Sequence, residues 1–207
     1  SGAGRIGRLS MHPMSLQESG DSTGKVSLAA LFKGEFAPCP CASGIDSLTE
    51  LICRGGWPDA LALTSDTIRP VLMGYLDAVH NKSVPDLGGR ELISSRVAES
   101  LARNLGQSYF ADPSLAVAAL GLNNQSLLED YQTLGLAFEN LCMRDLQVYA
   151  SSLDAAGSHP VRYYRDDSDL EIDAVVELAD GTWGAFEIKL SEAKVEQGAR
   201  SLLRMRD

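Results

Sequence analysis

The 207-residue chain is short of several things, and each shortage narrows what it does. No apolar run approaches the roughly 18 residues that a membrane-spanning helix needs. The opening stretch, SGAGRIGRLS, holds no apolar core of the kind a secretory signal carries. Basic residues are outnumbered, 18 Lys and Arg against 28 Asp and Glu, for a formal charge of −10. Phosphate binding draws on clustered Lys and Arg, so any contact with nucleic acid has to use a local patch or bound cations. Of the 4 cysteines, Cys39 and Cys41 lie too close for an easy mutual bridge and Cys142 falls inside a helical pattern. Reduced thiols and a cytoplasmic protein are therefore expected. Cys39-Pro40-Cys41 with Cys53 lacks a fourth Cys or a His at zinc-site spacing. A phosphate loop is missing as well: Gly20 and Gly24-Lys25 enclose three residues where four are needed, and Val26 stands where Ser or Thr is required. No internal repeat and no low-complexity tract is present.

Against these absences stands one strongly patterned stretch, LEIDAVVELADGTWGAFEIKL, over residues 170–190. Glu171, Asp173, Val175 and Glu177 alternate with Ile172, Ala174, Val176 and Leu178. Trp183, Ala185, Glu187 and Lys189 likewise alternate with Gly184, Phe186, Ile188 and Leu190. Strict period two in Val- and Ile-rich segments predicts two strands, over 171–178 and 183–190, joined by a hairpin. Directly paired residues must share a sheet face. A two-residue loop at Asp180-Gly181 would pair Asp173 with Ile188 and break that rule. A three-residue loop, Ala179-Asp180-Gly181 with Gly181 in the left-handed position, obeys it. Asp173 then faces Glu187, and Glu171 faces Lys189. Like charges directly opposed are destabilising, with Cβ atoms about 4.5–5.5 Å apart. Either a divalent cation on hard oxygen ligands relieves them, with Lys189 aimed at a phosphate or an attacking water, or the face is simply solvated, with one Glu171–Lys189 ion pair. Without a cation, Lys189 has to bridge both acids or one acid has to take up a proton.

The rest of the chain reads as mostly helical. Helices are expected over 26–36, over 47–54 with Ser47 as cap and Glu50 at the third helical position, over 66–81, over 91–105, and from Pro113 to Leu120 behind Asp112. A loop is expected over 85–90. Residues 134–150 form a helix with Leu134, Phe138, Leu141, Cys142 and Tyr149 on one stripe. A short strand over 161–165 and a helix over 194–205 complete the pattern. Trp57, Tyr75 and His80 read as core or rim residues.

Asp173 followed by Glu187-Ile188-Lys189 resembles the signature of the PD-(D/E)xK nuclease-like superfamily. The order helix, three strands, helix is similar to that superfamily's nucleus. The resemblance implies a restriction-endonuclease-like α/β core preceded by a helical region, with Asp173 and Glu187 as Mg²⁺ or Mn²⁺ ligands. It implies Lys189 as the residue stabilising the attacking hydroxide or the phosphate, and Glu139 as the assisting acid on the first helix. A second resemblance spans nearly the whole chain. GRIGRLSMHPMSL, RGGWPDAL, YFADPSLAVAALG, LGLAFENLCMRDL and then the Asp173/Glu187-x-Lys189 core look like the carboxy-terminal half of bacterial AAA-type ATPases that carry a domain of unknown function 4143 region.

That second resemblance divides the chain into residues 1–35, the end of an ATPase domain; 36–107, a helical region that looks shortened near 106–108; and 108–207, the nuclease-like domain. The expected fourth core strand after the last helix is missing, which leaves an open sheet edge for a protein partner or a second copy to complete. ATP binding would belong to a separate N-terminal domain. Near the acid pair Arg162, Arg165, Lys189, Lys194, Arg200 and Arg204 are offset by Asp166, Asp167, Asp169, Glu171, Asp180 and Glu192. The function implied is a regulatory or nucleic-acid-interacting module, with DNA among the partners it could take, and with an active Mg²⁺-dependent nuclease and a protein-docking domain as alternatives.

Overall fold

A computed structural model describes residues 11–35, 37–40, 43–83, 110–154 and 160–206. The helix expected over 91–105, the loop over 85–90, the junction near 106–108 and Cys41 lie outside them. The described chain is mixed α/β, with a helical first half and a three-stranded antiparallel sheet in the order β1-β2-β3.

The helical half begins with α1 (Leu28–Phe32), which is shorter than expected. Ser27 starts it by accepting a hydrogen bond from the Ala30 amide, and Gly34 ends it at φ 73°, a conformation that suits glycine. Helix α2 (Ile45–Arg54) starts at Gly44, so the expected cap at Ser47 is wrong. Ile45 and Leu48 pack on the core cluster, and this pulls the helix start back by a turn. Glu50 does not close a capping box. Its carboxylate accepts from the Ser65 amide at 2.8 Å and from the Asn124 side chain, tying α2 to the start of α3 (Ser65–Ser83) and to α5 (Asn124–Glu129). Between α3 and α5 lies α4 (Pro113–Ala119), capped by Asp112 and opened by Pro113 as expected.

Helix α6 (Tyr131–Ser151) extends three residues further toward the N-terminus than its apolar stripe suggests. Asp130 is the cause: its carboxylate accepts from the Gln132 and Thr133 amides, both at 3.1 Å. Ile52, Cys53, Val117, Leu127, Leu134, Ala137 and Leu141 form the largest core cluster between α2, α4, α5 and α6. A second cluster, Ala60, Ile68, Leu72 and Ala118, lies beneath Trp57, whose ring stacks on Tyr75 at 5.0 Å.

The sheet comprises β1 (Val161–Arg165), β2 (Glu171–Glu177) and β3 (Trp183–Phe186). Ile172, Ala174 and Val176 are fully buried. Val176 packs with Leu28 and Ala150, joined by Phe186 and Val161. The hairpin has the register that the period-two argument requires: Ala174 pairs with Phe186, Val175 with Ala185, Val176 with Gly184 and Glu177 with Trp183. Leu178 and Thr182 close the loop Ala179-Asp180-Gly181, and Gly181 sits at φ 85°.

The hairpin's second strand ends at Phe186 rather than at residue 190 as expected, because the Asp173 side chain takes the hydrogen bond of the Ile188 amide at 2.6 Å. A side-chain acceptor has replaced the ladder. Of the two arrangements expected for Lys189, the Glu171 ion pair is not the one found: Glu171 on β2 pairs with Arg165 at 2.9 Å. The last helix, α7 (Glu192–Arg206), starts two residues before the expected position. Cys39 and Cys142 carry free thiols. Among the described residues no helix is long and apolar enough to cross a membrane.

Candidate functional site

Three features of the backbone aim side chains at the end of the β2–β3 pair. The hairpin register, carried one step past Ala174–Phe186, sets Asp173 opposite Glu187. On the other side of β2 the pairing slips: Arg162 meets Val175 but Tyr164 meets Ile172, so Asp173 and Ala174 together oppose Tyr163. This is a β-bulge, a device that bends a strand and re-aims its side chains. On α7, Gly198 is buried against Glu187, and a Cβ there would lie 3.0 Å from the Glu187 Cβ. A glycine inside a helix costs about 1 kcal/mol relative to alanine. Here it lets the helix backbone come down onto the acid.

The result is a compact cluster. The Lys189 ammonium donates to Asp173 Oδ2 at 2.8 Å and to Glu187 Oε2. The side chains of Asp173, Glu187 and Lys189 are 16%, 7% and 23% exposed. Burial pushes the Glu187 carboxyl above the usual range; the hydrogen bond from Lys189 opposes this and the neighbouring Asp173 charge reinforces it. Burial works against the Lys189 ammonium, but the hydrogen bonds and charges of Asp173 and Glu187 outweigh it and hold its pKa above that of a free lysine. Two facing carboxylates therefore share one internal cation, and burial makes Glu187 hold its proton more tightly than a free glutamate does.

Glu139 lies half-buried on α6. It and Asp173 both bear electrostatically on Cys142. Part of that residue's surface stays exposed, yet the atoms crowded around the sulfur are the main reason its thiol is pushed up to about 12; the charges of Asp145, Glu139 and Asp173 add to the effect. Among the described residues no three His, Cys, Asp or Glu side chains come together as a metal-holding group. Asp173, Glu187 and Lys189 are thus brought together; Glu139 shares with Asp173 only its electrostatic effect on Cys142.

Tyr163 and Gly198 also belong to this neighbourhood and were not among the expected site residues. Tyr163 lies opposite the bulge, and burial, the Glu171 hydrogen bond and the Glu171 charge raise its phenol pKa. A glycine interrupting a helical pattern was a visible signal for Gly198; a bulge leaves no such mark in the sequence.

A second polar constellation joins four separated segments. Asp112, fully buried, accepts from the Gly56 amide at 2.9 Å, the Ser114 amide at 2.9 Å and Arg144 Nη1 at 2.8 Å. Arg144 also forks onto Asp145 Oδ1 through Nε at 3.0 Å and Nη2 at 2.7 Å. Asp145 Oδ2 accepts from the Leu16 amide at 3.0 Å and the Tyr149 hydroxyl at 3.1 Å. A Cβ on Gly56 would lie 2.1 Å from the Met14 carbonyl oxygen, so only glycine fits where the chain passes. The segments MHPMSL, RGGWPDAL, FADPS and CMRDL meet in this network.

Residues 134–207 match the family described as Domain of unknown function (DUF4143). No curated protein and no solved structure matches the chain.

Proposed function

We propose that the sheet and its flanking helices act as a nuclease-like module of an AAA-type, ATP-binding protein, with a regulatory, nucleic-acid-engaging role centred on Asp173, Glu187 and Lys189. The observation that carries this reading is the facing pair Asp173 and Glu187 with the Lys189 ammonium between them. Two carboxylates so placed make a site for positive charge, and a lysine of the chain itself fills it. The ordered landmark segments of the sequence support the association with an ATPase. ATP chemistry would reside in a separate domain that carries a phosphate loop.

The donor set suits a hard divalent cation. Mg²⁺ keeps several waters and is commonly held by one or two carboxylates together with substrate phosphates. Asp173 and Glu187 would hold Mg²⁺ or Mn²⁺, with Glu139 assisting from α6. The ion would supply Lewis-acid polarisation of a phosphodiester, and Lys189 would face the phosphate. DNA is the partner that this chemistry suits.

Melting curves with and without millimolar Mg²⁺ or Mn²⁺ test the site. An ion at about ten times its Kd adds about 1.4 kcal/mol, so Tm rises in the parent protein and stays still in Asp173→Asn. DNA binding across a salt series should show the steep dependence of phosphate contacts. Cleavage of DNA that disappears in Asp173→Asn and Lys189→Ala would promote the module to an active nuclease. An unmoved Tm together with no DNA binding would sink the nucleic-acid reading and leave a protein-docking face.

A further inference from the structure

Helix α7 leaves large apolar side chains in solvent. Gly198 turns inward onto Glu187, yet Val195 and Leu203 are 54% and 49% exposed. Glu192, Val195, Ala199, Leu203 and Arg206 follow one another at steps of three, four, four and three residues. At 3.6 residues per turn such spacing lays them along a single stripe. The steps read the same from either end, and the charges at the two ends are opposite.

We propose that this stripe docks on the same stripe of a second copy of the chain, the two α7 helices running antiparallel about a twofold axis at Ala199. The symmetry accounts for each residue. Ala199 meets its own copy where the helices must come closest, and a small side chain allows it. Val195 packs on Leu203 of the second copy. Glu192 meets the oppositely charged Arg206 at both ends. Glu196, flanking the stripe, comes beside Arg200 of the second copy; within one chain those two groups are only 4.0 Å apart as a loose pair. A parallel arrangement would instead set Glu192 against Glu192 and Arg206 against Arg206, so the charges select the antiparallel one. A self-complementary patch of this kind is what a twofold interface requires. One helix pair buries less than the roughly 1,200 Å² of a stable interface, so the dimer is reversible and depends on concentration.

Sedimentation equilibrium over a concentration series at low salt tests the proposal. A monomer–dimer equilibrium is expected, weakened by added salt. Leu203→Glu should weaken dimerisation about tenfold or more, because it puts a charge where an apolar side chain is buried. Glu192→Arg should weaken it by setting two arginines together, and adding Arg206→Glu should restore it by exchanging the signs. All these positions are exposed, and an unchanged circular dichroism spectrum and Tm confirm that each variant folds. A monomer at every concentration, a dimer indifferent to Leu203→Glu, or a double variant that fails to restore association would each overturn the proposal.

Discussion

Replacing Arg144 by methionine should destabilise the protein by about 3–5 kcal/mol, the range for breaking a buried ion pair by removing one partner. The magnitude follows from what is left behind. The Arg144 and Asp112 side chains are 2% and 0% exposed, so water cannot take the guanidinium's place. Asp112 would keep the Gly56 and Ser114 amides but lose its cationic partner at 2.8 Å. Asp145, 11% exposed, would lose the fork from the same side chain. Burial works against the charge on Arg144, but Asp112 and Asp145 hold its pKa above that of a free arginine. Methionine fills much of the vacated volume, so the loss is mainly electrostatic. Against the roughly 5–15 kcal/mol that stabilises an ordinary domain, it is a large fraction. Urea unfolding at pH 7, with the slope checked for constancy, measures it. Adding Asp112→Asn should recover part of the loss by removing the stranded charge. A change below about 1 kcal/mol in Arg144→Met would refute the claim that this network holds the fold together.

Other outcomes follow from the same geometry. Gly56→Ala should cost at least about 2 kcal/mol, because its Cβ would lie 2.1 Å from the Met14 carbonyl; a neutral result in urea unfolding would mean the N-terminal segment moves aside freely. Gly198→Ala should be neutral to within about 0.5 kcal/mol, as the helix gain of about 1 kcal/mol is opposed by contact with Glu187. A gain of the full amount would show that α7 stands off the acid. Stability should also fall at alkaline pH. Burial, with the charge of Asp145 reinforcing it, raises both the Cys142 thiol, to about 12 from 9.0, and the Tyr149 phenol, to about 12 from 10.0. Groups with raised folded pKa contribute fully below their unfolded values and lose that contribution as pH rises toward the folded ones. The decline therefore lies between about pH 9 and 12, and Cys142→Ala and Tyr149→Phe should each flatten it in unfolding curves measured across that range.

The hairpin was legible because period two admits only registers that keep the apolar set on one face, and Asp180-Gly181 left two loop lengths to choose between. Its end was not legible: nothing in EIKL announces that Asp173 would capture the Ile188 amide and stop the ladder at Phe186. Helix starts failed in a similar way. Ser47 with Glu50 fits the capping box, yet packing of Ile45 set the boundary at Gly44. The Asp112–Arg144 pair spans segments far apart in sequence, and charge spacing along one chain carries no information about such a meeting. Lys189 was expected either at Glu171 or between the two acids, and the choice rested on where Arg165 went.

The Asp145 carboxylate has a bearing on modularity. The family match opens at residue 134, yet this carboxylate, on α6 inside the match, holds the Leu16 amide far upstream of it. Recombination or truncation at the homology boundary would cut away Leu16, Gly56 and Asp112 together and turn Arg144 from a buried keystone into a solvent-facing charge. The hydrogen-bonded unit is wider than the unit that similarity delimits. Hydrogen exchange would make this visible as amides at Leu16 and Gly56 opening in step with the middle of α6.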